Sequence, residues 1–177
     1  MIATRTHLQL TNPTEFKPAF GTFPDLVIAR AERPSAELYR SLYRGVGEGY
    51  RWRDRWDWTD ADLAAHLARP EIHLFVARRG ETPAGFYELK RDPDGGIEIA
   101  YFGLLHNAIG KGLGKHLLSQ AVTDAFALGA NRVWLHTCTL DHPAALPNYL
   151  ARGFRPFKTE TYEVDPGNGP SPPPSRT

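Results

Sequence analysis

Ile109-Gly110-Lys111-Gly112-Leu113-Gly114 is the stretch on which the reading of this chain turns. A strand-like run, Ile97–Leu105 (IEIAYFGLL), precedes it. A helix pattern over Gly112–Leu128 follows, with Leu113, Leu117, Ala121, Ala125 and Leu128 on one face and Gly129 as the stop. A helix that starts this way presents unpaired backbone N–H groups and the positive end of its dipole, which suits a phosphate or pyrophosphate. Two common nucleotide motifs do not fit. The dinucleotide fingerprint needs glycine where Lys115 stands, and the P-loop needs glycine at Ile109 and Ser or Thr at His116. Taken alone, the turn also allows a tight connection with no ligand.

Outward from the turn, strands and helices alternate. Upstream, Asp25–Ala31 is a first strand, and Ser35 caps a helix through Leu38, Leu42 and Val46 that stops near Gly47. An aromatic and basic loop, Tyr50–Trp58, leads to Thr59-Asp60-Ala61-Asp62, an N-cap with acids in the first turn. Ile72–Arg78, Ala84–Lys90 and Ile97–Leu105 are joined by Gly- and Pro-containing linkers and read as an antiparallel meander. Downstream, Arg132–Leu140 is a strand, Pro143–Arg152 a helix and Phe154–Val164 a last strand. The order predicts an α/β (α+β) fold: one mixed, mostly antiparallel sheet of six to seven strands with helices on both faces.

The 177 residues suffice for one well-buried domain. Residues 1–23 read as an N-terminal arm, 24–164 as the domain and 165–177 as a flexible Pro-rich tail, since the last twelve residues hold five of the fifteen prolines. Lys+Arg 21 against Asp+Glu 20 leaves a formal charge of +1, so no global field draws the chain to nucleic acid or membrane. The N-terminus lacks the apolar core of a signal peptide, and polar residues interrupt every hydrophobic run. The single cysteine excludes an intramolecular disulfide and fits a reducing compartment, so the expected location is the cytoplasm.

The segment from Glu98 to Gly114 resembles motif A of the GNAT superfamily, the acyl-CoA-dependent N-acyltransferases, whose signature is Gln/Arg-x-x-Gly-x-Gly/Ala. Asn148-Tyr149-Leu150-Ala151-Arg152-Gly153-Phe154 is similar to the family's late helix, with Tyr four residues before a Gly-Phe pair. The element order agrees, so the resemblance covers about Leu26–Val164 and implies a single GNAT-like domain. Two departures stand out. Ile109 replaces the usual Gln or Arg, and His142 stands where many members carry an Asn that contacts the pantetheine arm.

The resemblance implies an N-acetyltransferase that moves acetyl from acetyl-CoA to a primary amine of a small molecule or peptide by direct attack. The implied pyrophosphate cradle is Ile109, Gly110, Lys111, Gly112, Leu113, Gly114 and Lys115. Phe102, Gly103 and Leu104 would pair with the pantetheine and polarise the thioester carbonyl. Gly103 within a strand also suits a bulge or a close ligand. Fewer than about one primary amine in a thousand is neutral at pH 7, so a proton acceptor helps. Glu98, fourteen residues before Gly112, matches the family's general-base Glu; the alternative is an exposed carboxylate on an alternating strand. Tyr149 would protonate the departing thiolate, or else pack its ring into the core.

Other clusters compete with this reading. His136, Cys138 and His142 form H-x-C-x-x-x-H, but such residues across a strand end are more often pocket groups, so no metal is expected. Cys138 as a nucleophile does not suit direct transfer. Arg51, Arg53 and Arg55 alternate with Trp52, Asp54 and Trp56, a cationic and aromatic edge that suits an acceptor bearing a carboxylate or a ring. Packed tryptophans and solvated arginines are the plainer reading. The rival functions are a non-catalytic acyl-CoA-binding regulatory module and, from the aromatic-basic loop, a nucleic-acid-binding domain. Neither a membrane nor a nucleic-acid partner is expected. The resemblance also implies that a homodimer through late strands is possible.

Overall fold

A computed structural model describes residues 1–164. The expected tail, 165–177, lies outside the described residues. The order of elements is β1 (Ile2–Leu10), β2 (Leu26–Arg30), α1 (Ala36–Gly47), α2 (Asp60–Leu67), β3 (Ile72–Arg79), β4 (Thr82–Arg91), β5 (Ile97–Leu104), α3 (Leu113–Ala127), β6 (Val133–Cys138), α4 (Ala145–Ala151) and β7 (Arg155–Glu163). Seven strands form one sheet in the order β2-β3-β4-β5-β6-β1-β7. Among the described residues only β5 and β6 run parallel; the other adjacent pairs are antiparallel.

The capping chemistry seen in the sequence sets the helix starts. Ser35 accepts a hydrogen bond from the Leu38 N–H at 3.1 Å and opens α1. Thr59 and Asp62 form a reciprocal capping box at the start of α2. Strand alternation then divides most apolar residues between two main cores, beside a small cluster of Ala84, Ala108 and Leu113. Leu74, Val76 and Phe86 pack under α1 and α2, with Tyr39, Leu42, Tyr43, Val46 and Leu63. Ala77, Tyr87, Leu89, Ile97 and Ile99 pack under α3 and α4, with Leu117, Leu118, Ala121, Val122, Tyr149 and Phe154. Helices therefore cover both faces.

Two expectations change. The first ten residues belong to the sheet rather than to an arm: β1 lies between β6 and β7 and is hydrogen-bonded to both. Its sequence hides this, because Arg5, His7 and Gln9 sit on a sheet face that no helix covers and only Leu8 and Leu10 enter the α3 core. Residues 17–21 do lie across the domain. Lys17 N–H donates to the Arg152 carbonyl at 2.9 Å, Ala19 N–H to Ser119 Oγ at 2.8 Å, and Gly21 N–H to His116 Nδ1 at 3.1 Å. The second change is local. The bulge in β5 falls at Ala100, since Glu88 pairs with Tyr101 and Leu89 with Ile99, and not at Gly103.

Burial of Leu8 gives a direct test of the β1 assignment. Its side chain is 0 % exposed, so Leu8→Ala should lower unfolding free energy by about 2–5 kcal/mol in urea melts. A loose arm would show no change.

Candidate active site

The site begins with a parting of strands. β5 and β6 pair only at Ile97–Val133 and Glu98–Trp134. Beyond that point β5 continues to Leu104 and β6 to Cys138 without touching in register. The Ala100 bulge lies just past the last shared pair, and a bulge bends and twists its strand. It also reverses the phase of β5: Ile97 and Ile99 enter the α3 core before it, and Phe102 packs there after it, while Tyr101 packs against the α1 side. A cavity of about 530 Å³ fills the gap, a size typical of small-molecule sites.

One end of the cavity is the glycine turn. Gly110 and Gly112 have φ of +79° and +75°, and a side chain at either would be strained. Gly112 is the N-cap of α3 and has no side chain to accept from the first-turn N–H groups, which leaves them for a ligand. Ile109, Gly110, Gly112, Leu113 and Gly114 line the cavity, whereas Lys111 and Lys115 are exposed and outside its wall. Phe102, Gly103 and Leu104 line it too, on a strand edge that has lost its β6 partner. Gly103 is required for another reason than a bulge: a Cβ there would lie 2.2 Å from Val46 Cγ1. The strand and α1 meet at that point.

The α4 wall carries Asn148, Tyr149 and His142. Tyr149 is 7 % exposed, and its ring meets Phe102 and Phe154 edge-on at 6.3 and 6.2 Å. It is thus both a core residue and a wall residue. Burial, then the Asp141 carboxylate, pushes its phenol well above the usual tyrosine range. His142 Nδ1 accepts from the Ala144 N–H at 3.0 Å, so in the neutral ring Nε2 carries the proton and is a donor. Tyr50 covers the same ring at 6.0 Å. Asn148, with both donor and acceptor, was not read from the sequence; its position beside Tyr149 was the available signal.

The other end lies on the helix-free face of β6, β1 and β7, where His136, Cys138, Arg5 and Tyr162 line the cavity. Glu98 is not itself part of the wall. It stands behind His136, with Oε1 3.7 Å from Nδ1. Burial, then the Asp141 charge, pushes the Cys138 thiol up, which keeps it from being a thiolate nucleophile. His136, Cys138 and His142 face different partners, and among the described residues no cluster of three or more His, Cys, Asp or Glu forms a metal site.

The Tyr50–Trp58 loop does not present three arginines to the cavity. Arg55 turns inward to Glu88, which is 0 % exposed in the middle of β4. Its Nη1 and Nη2 donate to Glu88 Oε1 and Oε2 at 2.7 and 3.1 Å. Tyr39 donates to Oε1 at 2.8 Å, and His66 Nε2 lies 3.1 Å from Oε2. Arg55 also hydrogen-bonds the Tyr39 hydroxyl and lies over the Tyr101 ring at 4.5 Å. Arg53 stacks on Trp56. The loop's contributions to the cavity are Tyr50, Trp52 and Asp54, the last accepting from the Tyr101 hydroxyl at 2.8 Å. Glu88 was missed in the sequence, although an acid inside AGFYELK is a signal: buried there, it needs a charged partner.

Comparisons with known proteins place a family on the segment that holds the parted strands and the glycine turn. The model of the acetyltransferase (GNAT) family matches residues 35–154, and the chain belongs to that family. No curated protein matches the chain. Among solved structures, a GCN5-related N-acetyltransferase from Kribbella flavida superposes with a TM-score of 0.64 at 21% identity, over 89% of this chain and 56% of that one. One from Sphaerobacter thermophilus gives 0.68 at 13% identity, over 95% and 54%. An IAA acetyltransferase from Bacillus cereus gives 0.54 at 25% identity, over 75% and 79%. The chain thus spans little more than half the length of the Kribbella and Sphaerobacter proteins. No helix among the described residues is long and apolar enough to cross a membrane.

The buried ion pair sets an acid limit on stability. Burial raises the Glu88 pKa, but the His66 hydrogen bond and the Arg55 charge and hydrogen bonds outweigh it and hold the carboxyl at about 2. A depressed pKa adds stability above the unfolded-state value and loses it as pH falls through the folded one. The pair should therefore contribute about 3 kcal/mol at neutral pH, fading between about pH 4.5 and 2. Glu88→Gln leaves Arg55 buried without an anion and should cost about 3–5 kcal/mol at pH 7 in urea unfolding. The cost should shrink toward pH 2.

Proposed function

We propose that this chain is an N-acetyltransferase that moves acetyl from acetyl-CoA to a primary amine of a small molecule or peptide, by direct attack and in the cytoplasm. The observation that carries this reading is the cavity in the β5–β6 gap, which joins the glycine turn to the His136 face through the sheet. Acetyl-CoA supplies an acyl group activated as a thioester. The first-turn N–H groups of α3 and the positive end of its dipole suit the pyrophosphate, and Gly110 and Gly112 let it approach. The missing Gln or Arg at Ile109 removes a side-chain donor and leaves these backbone donors in place. Lys111 and Lys115 are exposed and act as nearby charge rather than as cavity groups. His142 Nε2 and Asn148 offer polar contacts to the pantetheine arm, and Phe102-Gly103-Leu104 a free strand edge.

In the transfer a C–N bond forms and the C–S bond breaks. The amine proton leaves through His136, the wall group, with Glu98 at Nδ1 orienting the ring and balancing the charge it gains. Glu98 thus acts through His136 instead of touching the amine. Backbone N–H groups around Gly103 face the oxygen that becomes negative. Tyr149 remains a phenol and donates a hydrogen bond to the departing sulfur. Full proton transfer runs uphill, since a thiol of pKa about 8.5 is the stronger acid.

Isothermal titration tests the reading: acetyl-CoA and desulfo-CoA should bind in the micromolar range and ATP should not. Silence toward acetyl-CoA would remove its support. With a working acceptor, Glu98→Gln should lower kcat about 10²-fold and keep acetyl-CoA affinity. A regulatory acyl-CoA-binding module has no turnover to lose. Tyr149→Phe should lower kcat about tenfold. Since burial keeps Tyr149 protonated while the amine and base must be unprotonated, the wild-type rate should rise with pH and hold to about pH 10. A falling limb near pH 8 that disappears in Tyr149→Phe would contradict this role.

A further inference from the structure

The His136 end of the cavity carries a cation that the transfer does not use. Arg5, on β1, lines the cavity and forms no ion pair among the described residues. Its Nε is shut off from solvent and has no hydrogen-bond partner, and the Tyr162 hydroxyl beside it is shut off too, turned toward the Cys138 sulfur. The guanidinium lies over the Tyr162 ring, 4.9 Å from its centroid. Burial, then the neighbouring Cys138, pushes the Tyr162 phenol up to about 12, so it is a hydrogen-bond donor at neutral pH.

None of the nearby carboxylates pairs with Arg5. Glu160, opposite Arg5 across β1–β7, is held by Lys158 at 2.5 Å and His7 at 3.0 Å. Asp141 accepts from Thr137 Oγ1 at 2.7 Å and from the Cys138 N–H at 2.8 Å. Glu98 is at His136. Asp54, on the loop wall, accepts from the Tyr101 hydroxyl. Among the described residues Arg5 is the one Lys or Arg in the cavity wall, it has no ion-pair partner, and a partly buried cation is costly unless an anion completes it.

Register fixes where that ligand sits. Arg5 pairs with Cys138, and His7 with His136, so Arg5 and His136 are diagonal neighbours on one sheet face, about 7–8 Å apart at the backbone. A molecule with an amine and a carboxylate a few bonds apart spans the space between their side chains. We propose that the acceptor is an amine that also carries a carboxylate, such as a free amino acid, with the carboxylate held by the Arg5 guanidinium and the amine placed at His136. A guanidinium suits this because its planar fork matches a carboxylate. The inference rests on the N-acetyltransferase reading and specifies its acceptor.

The test is binding without turnover. Wild type, Arg5→Met and Arg5→Lys are titrated calorimetrically with the free L-amino acids and their carboxamides, in the presence of CoA. In wild type at least one amino acid should bind about 10- to 100-fold more tightly than its carboxamide. That preference should collapse to within about twofold in Arg5→Met and partly return in Arg5→Lys. Equal binding of acids and carboxamides, a preference that survives in Arg5→Met, or no binding by any member of the set would each overturn the proposal. Acetyl-CoA titration of the same samples separates the two readings. Acetyl-CoA binding with no acid preference leaves a transferase with another acceptor, and loss of acetyl-CoA binding in wild type removes the transferase reading itself. Unchanged acetyl-CoA affinity in Arg5→Met shows that the variant is folded.

Discussion

Everything in the site follows from β5 and β6 sharing only two residue pairs. Parallel neighbours would normally continue their ladder, and each lost pair leaves backbone groups to be satisfied in another way. Here the Ala100 bulge turns β5 away, and the cavity opens through the sheet. The free strand edge, the glycine-capped end of α3 and the α4 wall all border that opening. A closed sheet with the same helices would have no passage from the phosphate-suited turn to the His136 face.

The near side of the opening is stiffened by charge rather than by apolar packing alone. Glu88 would be prohibitive at the centre of β4 without partners, and Arg55, Tyr39 and His66 supply them. Because Arg55 comes from the Tyr50–Trp58 loop, the pair ties that loop to the sheet and seats Trp52 and Asp54 on the cavity wall. Arg55 stacks on Tyr101 in the same arrangement. The buried network therefore connects α1, α2, the loop and the β4–β5 pair at one point.

Much of this was legible from local chemistry. The Ser35 cap, the Thr59–Asp62 box, the meander and the glycine turn each depend on residues close in sequence, and the structure has each one. What escaped were relations between distant residues. β1 reads as irregular because its polar residues face a side that no helix covers, and its hydrogen bonds lie with strands more than a hundred residues away. The bulge is unreadable because Ile97, Ile99, Phe102 and Leu104 suit a strand on either phase. Arg55 looks like its neighbours Arg51 and Arg53 until β4 places a carboxylate beneath it.

The sequence by itself determined the elements from β2 to β7 and the resemblance to an acyl-CoA-dependent family, because caps, turns and periodicity are set by neighbours along the chain. It also named Glu98, Tyr149 and the glycine turn as candidates. Tertiary structure decided how they meet. It set Glu98 behind His136, made Tyr149 a core ring that also borders the cavity, and brought Arg5 from the first strand to the same wall. The physical reason is that strand register and the β5–β6 parting are collective properties of the sheet, fixed by burial and hydrogen bonding across the whole domain and not by any one segment.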